Sequence, residues 1–143
     1  MLLHQEITQA IIDAYFIVYN KLGYGFTESI YVRALQHELV KAGHKVDREV
    51  TAVVHYDEII VGRVRLDMIV DDKVVVENKA IRALPEGAEA QIFNYLRATH
   101  LEVGLLLNYG PRPTFKRYIC TNDRKAGFDL REGTVATLKP RGL

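Results

Sequence analysis

The sequence predicts an α/β fold, a mixed sheet with helices packed on it, because the hydrophobic pattern changes along the chain. Apolar residues keep helical spacing to residue 42, strand-like segments rich in valine and isoleucine follow over 46–80, and a further helix precedes two more strands. The expected order is α-α-β-β-β-α-β-β. A strand meander followed by a crossover helix and another strand is typical of a mixed sheet.

Three helices are expected, over residues 4–22, 27–42 and about 85–99. Gly23 and Gly43 stop the first two helical patterns, as glycine commonly does at a helix end. A proline stands where the third helix would begin, and acidic residues follow it in the first turns. These start and stop signals fix the number of helices.

Five strands are expected within the first 120 residues. The fourth is a short, nearly continuous apolar run, as expected of a strand covered on both faces. The fifth is interrupted by two basic residues and should lie nearer an edge of the sheet. The segments are Val46–Tyr56, Ile59–Val70, Val74–Ala80, Val103–Leu107 and Phe115–Cys120.

A chain of 143 residues suits one compact domain. We place that domain at residues 1–120. Residues 121–143 are polar and contain glycine, and we treat them as a C-terminal extension. The extension would form either a small hairpin, Phe128–Leu130 with Thr134–Leu138, or a loose tail.

Charge and cysteine content exclude several classes of protein. The formal net charge is +1, so nucleic-acid binding would have to use a local basic patch. Cys120 is the only cysteine, which excludes a disulfide within the chain and a cysteine-rich zinc site, and favours a cytoplasmic location. No apolar run reaches membrane-spanning length, so no membrane partner is expected.

The turn between the second and third strands decides which side chains meet. A two-residue turn would pair Asp67 with Val76, whereas a three-residue loop, Asp71–Lys73, pairs Asp67 with Glu77. The longer loop also superposes the apolar faces of the two strands, and a one-residue slip would scatter them. We therefore expect the three-residue loop. The faces that should coincide are Val64, Leu66, Met68 and Val70 with Val74, Val76, Asn78 and Ala80.

In this register two carboxylates lie side by side. At about 5 Å and an effective dielectric near 20, Asp67 and Glu77 would repel by roughly 3 kcal/mol. Arg65 and Lys79 could offset that repulsion, and so could a divalent cation bound by hard oxygen ligands. The alternative is a solvated strand face with ordinary ion pairs, since Glu-x-Lys is common on exposed strands.

Two helices add polar side chains on faces that should be apolar. Glu28 falls on the same stripe as Tyr31 and should point inward, where a metal or Lys79 would serve as its partner. Alternatively it is a charge favoured by the helix N-terminus. Gln91 and Tyr95 are four residues apart and share a helical face. Without a site, this pair would mark a helix boundary.

These residues resemble a known family. The segment Gly25-Phe26-Thr27-Glu28-Ser29-Ile30-Tyr31 is similar to the Gly-x-x-Glu-x-x-Tyr signature of the GxxExxY family, within the PD-(D/E)xK nuclease superfamily. Asp67 and then Glu77-Asn78-Lys79 follow in order, and Gln91–Tyr95 resembles the Gln-x-x-x-Tyr motif of RecB-like exonucleases. The resemblance spans about residues 4–120. It implies that this segment is a nuclease domain with a restriction-endonuclease-like core.

The resemblance also implies a metal site that holds Mg²⁺ or Mn²⁺. Asp67 and Glu77 would be ligands, with the backbone carbonyl of Asn78 as a third and Glu28 joining directly or through water. The sequence departs from the usual pattern at two positions. Leu66 rather than proline precedes Asp67, and Asn78 stands where an apolar residue is usual, so a core-facing Asn78 would need a hydrogen-bond partner.

The implied activity is hydrolysis of phosphodiester bonds, with DNA as the expected substrate. Lys79 would orient or deprotonate the attacking water, or stabilise the transition state, while Gln91 and Tyr95 would position Lys79 or the DNA strand. The alternative is a nuclease-fold protein that binds nucleic acid or a protein partner without cutting. A homodimer is compatible with either function.

Overall fold

The computed structural model describes residues 2–125 and the backbone of residues 139–140. Within these residues, three α-helices and five strands follow the predicted order, and a two-residue strand at 139–140 is added to them. The helices are α1 (Gln5–Leu22), α2 (Glu28–Lys41) and α3 (Glu89–Ala98). The strands are β1 (Val46–Tyr56), β2 (Ile59–Val70), β3 (Val74–Lys79), β4 (Val103–Tyr109), β5 (Pro113–Ile119) and β6 (Lys139–Pro140).

The sheet is mixed, and its strand order is β5-β4-β3-β2-β1-β6. Strands β1, β2 and β3 form an antiparallel meander, and α3 then carries the chain across so that β4 lies parallel to β3. Strand β5 returns antiparallel at the edge. The predictions of a mixed sheet, of a β4 buried on both faces and of an edge position for β5 are confirmed.

Each face of the sheet has its own apolar core. Helices α1 and α2 pack on one face, where the buried side chains of β3 and β4 include Val76 and Leu105. Helix α3 packs on the other face through Ile92 and Leu96, against Val75 and neighbouring residues. Side chains along β3 therefore alternate between the two cores, as the sequence predicted for this strand.

Helix α3 approaches the sheet closely at Gly104. A Cβ atom built on this glycine would lie 2.8 Å from Cγ2 of Ile92 and 3.2 Å from Cγ1 of Val75. The first of these distances is shorter than carbon atoms tolerate. The missing side chain of Gly104 therefore determines how near α3 lies to β4.

The predicted start of the third helix was wrong. Helix α3 begins at Glu89, and the four residues from Pro85 form turns instead. Gly87 has φ +84°, a left-handed conformation that an α-helix cannot contain. The helix can therefore begin only after this glycine.

Tyr31 fixes the turn that leads into α2, which begins directly after its N-cap residue, Thr27. The Tyr31 hydroxyl donates to the carbonyl of Gly23 and accepts from the N–H of Phe26 at 3.2 Å. Its buried ring stacks on Tyr109 of β4, with ring centres 4.5 Å apart and planes 13° apart. The first turn of α2 is thereby held against the sheet.

The predicted three-residue loop between β2 and β3 is confirmed. Val70 pairs with Val74 and Met68 pairs with Val76, so the ladder closes around residues 71–73. Met68 and Val76 both face α1 and α2, as the shared apolar face required.

The predicted face of the earlier part of β2 was wrong. Leu66 and Val64 pack in the α3 core and not with Met68. Across from this point, Glu49 of β1 has φ +53°, and the paired residues of β1 and β2 lie on either side of Glu49 and Asp67. A left-handed residue inside a strand turns the chain locally, so simple alternation fails on passing it.

The extension is described only in part. Asn122–Arg124 form a 3-10 turn, and the buried Lys125 amine donates to the carbonyls of Thr99 and Leu101 at 2.8 and 2.7 Å. The backbone of β6 pairs with β1 at Val50 and Thr51. The predicted hairpin lies outside the described residues. Among the helices that are described, none is long and apolar enough to cross a membrane.

Candidate active site

A cleft of about 580 Å³ opens between the start of α2, the β1–β2 hairpin, β3 and α3. The six side chains predicted as catalytic all line it: Glu28, Asp67, Glu77, Lys79, Gln91 and Tyr95. Counting Glu49 and Arg65 as well, the cleft contains four carboxyl groups and two cationic groups. The fold thus brings together the residues that the sequence singled out.

Asp67 lies where β2 and β3 part. Their ladder ends at Met68 and Val76, and one residue further the Oδ2 atom of Asp67 accepts two hydrogen bonds from Asn78. The backbone N–H of Asn78 is 3.0 Å away and its side-chain Nδ2 is 2.8 Å away. A side-chain carboxylate therefore occupies the position where a ladder bond would continue.

Glu77 is the most buried acid in the cleft, with 5% of its surface exposed. Its Oε1 atom lies 3.3 Å from the amine of Lys79, while its buried Oε2 atom has no hydrogen-bond partner among residues 2–125. Burial, together with the nearby charge of Asp67, raises the pKa of Glu77 to about 7, although Lys79 opposes that rise. Glu77 thus carries an oxygen that could accept a cation.

Glu28 lies at the rim of the cleft, in the first turn of α2. Partial burial of its carboxyl group raises its pKa, the charge of Asp67 adds to this, and Lys79 opposes it. The residue as a whole is exposed to solvent, and its carboxyl group is turned to the cleft, where the charges of Asp67 and Lys79 act on it. The first residue of α2 therefore lies at the cleft, and the apolar stripe of this helix begins after it.

Gln91 and Tyr95 form a hydrogen-bonded pair on α3. The Nε2 atom of Gln91 donates to the Tyr95 hydroxyl at 2.7 Å, and both side chains line the cleft with Lys79. Tyr95 is almost fully buried, and burial followed by the charge of Glu77 raises its pKa above the ordinary value. Tyr95 therefore keeps its proton at neutral pH.

Comparison with known families identifies the superfamily of this chain. A model of the PD-(D/E)XK nuclease superfamily matches residues 5–118. The chain belongs to the PD-(D/E)XK nuclease superfamily. Neither the curated proteins nor the solved structures gave a match. The matched segment runs from α1 to β5 and contains every cleft residue named above, whereas membership of the GxxExxY family stays a prediction.

Sequence reasoning missed two cleft residues of this superfamily member. Glu49 lines the cleft, and its Oε1 atom lies 3.9 Å from the guanidinium of Arg65. Asn94 of α3 also lines the cleft, and its Oδ1 atom accepts a hydrogen bond from Arg97. Neither residue type nor spacing marked them. The left-handed backbone that places Glu49 is rare for glutamate and has no sequence signature.

The donors can be compared with the needs of a metal ion. Within residues 2–125, no three or more histidine, cysteine or acidic side chains lie close enough to hold one. Glu28 therefore does not complete a preformed cluster with Asp67 and Glu77. Those two carboxylates, with the unpartnered Oε2 of Glu77, are hard oxygen donors of the kind that Mg²⁺ and Mn²⁺ bind. The residues present fit such an ion as a two-carboxylate site.

Proposed function

We propose that this protein is a metal-dependent nuclease that hydrolyses phosphodiester bonds in DNA with Mg²⁺ or Mn²⁺. The observation that carries the proposal is the buried, unpartnered Oε2 atom of Glu77 beside Asp67. A buried polar oxygen without a partner is costly, and a second carboxylate nearby adds repulsion. A bound divalent cation would offset both costs.

The charge of the cleft supports the same conclusion. Four carboxyl groups against two cationic groups make an environment that repels a phosphodiester. An anionic substrate approaches more readily when this negative charge is neutralised. In a nuclease built on this cleft, a cation would therefore strengthen substrate binding as well as support cleavage.

Asp67 and Glu77 would hold the metal, with the backbone carbonyl of Asn78 as a third ligand. Glu28, at the rim, would contribute through a bound water. When bound, the cation would lower the pKa of a water molecule and neutralise charge on the phosphate. The protein's own part is to keep two carboxylates in place despite their repulsion.

Lys79 is the candidate for handling the attacking water. Its amine lies 3.3 Å from Oε1 of Glu77, and about a third of its side chain is exposed. The ion pair restrains the amine while the side chain stays accessible from the cleft. From there it would orient the water or stabilise negative charge in the transition state.

Gln91 and Tyr95 would position the substrate or Lys79. Because Gln91 donates to the Tyr95 oxygen, the tyrosine proton is free to be donated to another acceptor. A phosphate oxygen is a suitable acceptor. This pair would therefore fix one side of the scissile phosphate, opposite the two metal-binding carboxylates.

The test is a panel of single- and double-stranded DNA and RNA, incubated with Mg²⁺ or Mn²⁺. We expect DNA cleavage by the wild type and by Glu58→Ala, a control that removes an exposed carboxylate at the hairpin tip. Asp67→Ala should not cleave. If wild type and Asp67→Ala bind DNA equally and neither cleaves, the protein is a binding module. Cleavage that survives Asp67→Ala would contradict the proposed site.

A further inference from the structure

Asn78 stands between Glu77 and Lys79 in β3, but its side chain lies away from the cleft. It is completely buried, and both of its polar atoms have partners. The Nδ2 atom donates to Oδ2 of Asp67 at 2.8 Å, and the Oδ1 atom accepts from the hydroxyl of Tyr109 at 3.1 Å. A buried amide is tolerated when it is satisfied in this way.

Only one orientation of this amide is compatible with its neighbours. The Oδ2 atom of Asp67 already accepts from the backbone N–H of Asn78, and a carboxylate oxygen accepts and does not donate, so the NH₂ group of Asn78 must face it. The hydroxyl of Tyr109 donates to Oδ1 on the other side of the amide. A flipped amide would place Oδ1 against the carboxylate of Asp67. The carboxylate of Asp67 therefore selects the orientation of the amide, and the hydroxyl of Tyr109 satisfies Oδ1 in that orientation.

Tyr109 is itself held rigidly. Its ring is completely buried, stacks on Tyr31 and meets the edge of Tyr15, with ring centres 4.9 Å apart. Tyr31 belongs to α2, one turn after Glu28. A continuous set of packed and hydrogen-bonded side chains thus connects α2 with Asp67.

We propose that Asn78 is a positioning residue that holds the Asp67 carboxylate ready for the metal, and that Tyr109 restrains the Asn78 amide through a hydrogen bond to its Oδ1 atom. The role rests on the proposed function. Both hydrogen bonds end on Oδ2, so Oδ1 is the oxygen of Asp67 available to a cation. The backbone N–H would persist with any side chain, but one bond leaves the carboxylate free to rotate. The amide supplies the second.

The test measures Mn²⁺ affinity by calorimetric titration of the intact protein. Asn78→Leu should weaken binding by about 10- to 100-fold, the usual effect of removing a partner that orients a metal ligand. Tyr109→Phe should weaken it in the same direction but less. Tyr15→Phe is the matched control, because it also removes the hydroxyl of a buried tyrosine in this aromatic cluster, one that donates to the carbonyl of Asn108. It should bind Mn²⁺ as the wild type does.

A double variant separates positioning from general damage. If Tyr109 acts through Asn78, then adding Tyr109→Phe to Asn78→Leu should not weaken Mn²⁺ binding further. Independent structural damage would add instead. Without metal, the side-chain amide protons of Asn78 should exchange slowly in wild type and in Tyr15→Phe, and faster in Tyr109→Phe.

Each outcome decides one part. Wild-type Mn²⁺ affinity in Asn78→Leu would overturn the positioning role and leave the proposed function standing. If Asn78→Leu fails to fold, the comparison of Tyr109→Phe with Tyr15→Phe decides, and equal affinities would overturn the role of Tyr109. A wild type that binds no Mn²⁺ would overturn the proposed function and this role together. Fast amide exchange in wild type would overturn the Asn78–Tyr109 bond itself.

Discussion

The two ends of β2 have similar apolar residues but opposite surroundings. Met68–Val70 have β1 on one side and β3 on the other, and all three side chains are buried. Ile59 and Ile60 pair with β1 near the hairpin turn, Val61 follows them, and each of the three residues is more than half exposed. Burial in this strand is therefore decided by its neighbours and not by its composition.

The candidate active site lies where β2 passes from one environment to the other. Asp67 directly precedes the segment that is paired on both sides, and its carboxylate accepts a hydrogen bond from the backbone N–H of Asn78. A strand that stayed paired along its whole length would leave no room for this contact. The parting of β2 and β3 thus creates the cleft and also orients one of its carboxylates.

The largest expected effect is on cleavage, from a change at Asp67, the residue that lies where β2 and β3 part. Asp67→Asn should reduce cleavage by about 100- to 1,000-fold, comparable to the removal of one essential electrostatic group elsewhere. It should also abolish stabilisation by Mn²⁺, which for wild type is about 2.7 kcal/mol at a hundredfold excess over Kd. Thermal melts with EDTA and with Mn²⁺ measure the second effect.

Without metal, Asp67→Asn should be no less stable than wild type. The asparagine keeps an oxygen that can accept from Asn78, and the repulsion of Glu77 is gone. Because Asp67 contributes to the raised pKa of Glu77, that pKa should also fall in the variant. Strong destabilisation in EDTA would instead make Asp67 a structural partner of Asn78, Arg65 or Lys79.

Alanine substitution of one residue at each end of β2 tests the comparison directly. Met68→Ala should lower the free energy of unfolding by about 2–5 kcal/mol, because it leaves a cavity in a packed core. Ile60→Ala, at an exposed position, should change it by about 0.5 kcal/mol or less. Urea unfolding of both variants gives the two values. A large, concentration-dependent loss in Ile60→Ala would show that a second copy of the chain covers the hairpin tip.

Glu77 should make stability depend on pH. Its pKa is about 7 in the folded protein against an ordinary value of 4.5, so the folded state holds the proton longer than the unfolded state. The free energy of unfolding should therefore fall as pH rises from about 4.5 to about 7, by up to about 3 kcal/mol. Glu77→Gln, measured over the same range, should lack this part of the dependence. Identical pH profiles would contradict the raised pKa.

The smallest expected effect is a change in the salt dependence of DNA binding. With near-zero net charge, DNA binding should be weak and should depend steeply on salt through a local patch, for which Arg65, Lys79, Arg82 and Arg97 are candidates. Arg65→Ala, made in Asp67→Asn to prevent cleavage, should reduce the slope of log Kd against log salt by about one. Lys116→Ala, on the edge strand β5, should leave the slope unchanged. Binding that ignores salt would indicate another class of ligand.

Much of the fold could be predicted because local patterns agreed with the final packing. The register of β2 with β3 followed from two apolar faces that had to coincide, and the structure has that register. The failures have local causes that a pattern does not record. Gly87 delays the start of α3, and the left-handed backbone at Glu49 moves Leu66 to the other core.

The candidate site was predictable where it depends on register and helical spacing. Asp67, Glu77 and Lys79 meet in one cleft for that reason, although their roles stay predictions. The partner of Asn78 could not be predicted. Tyr109 is 31 residues further along the chain and meets Asn78 only because β4 pairs parallel to β3 and turns the same face toward α2.

Gly104 makes the width of the cleft sensitive to a position outside it. Any side chain there meets Ile92 first, and Ile92 belongs to the helix that also carries Gln91 and Tyr95. A single added methyl group would push α3 outward and take these two side chains away from Lys79. Two homologues with identical cleft residues would then differ in the size of substrate they admit, so a shared set of site residues does not by itself guarantee a shared substrate.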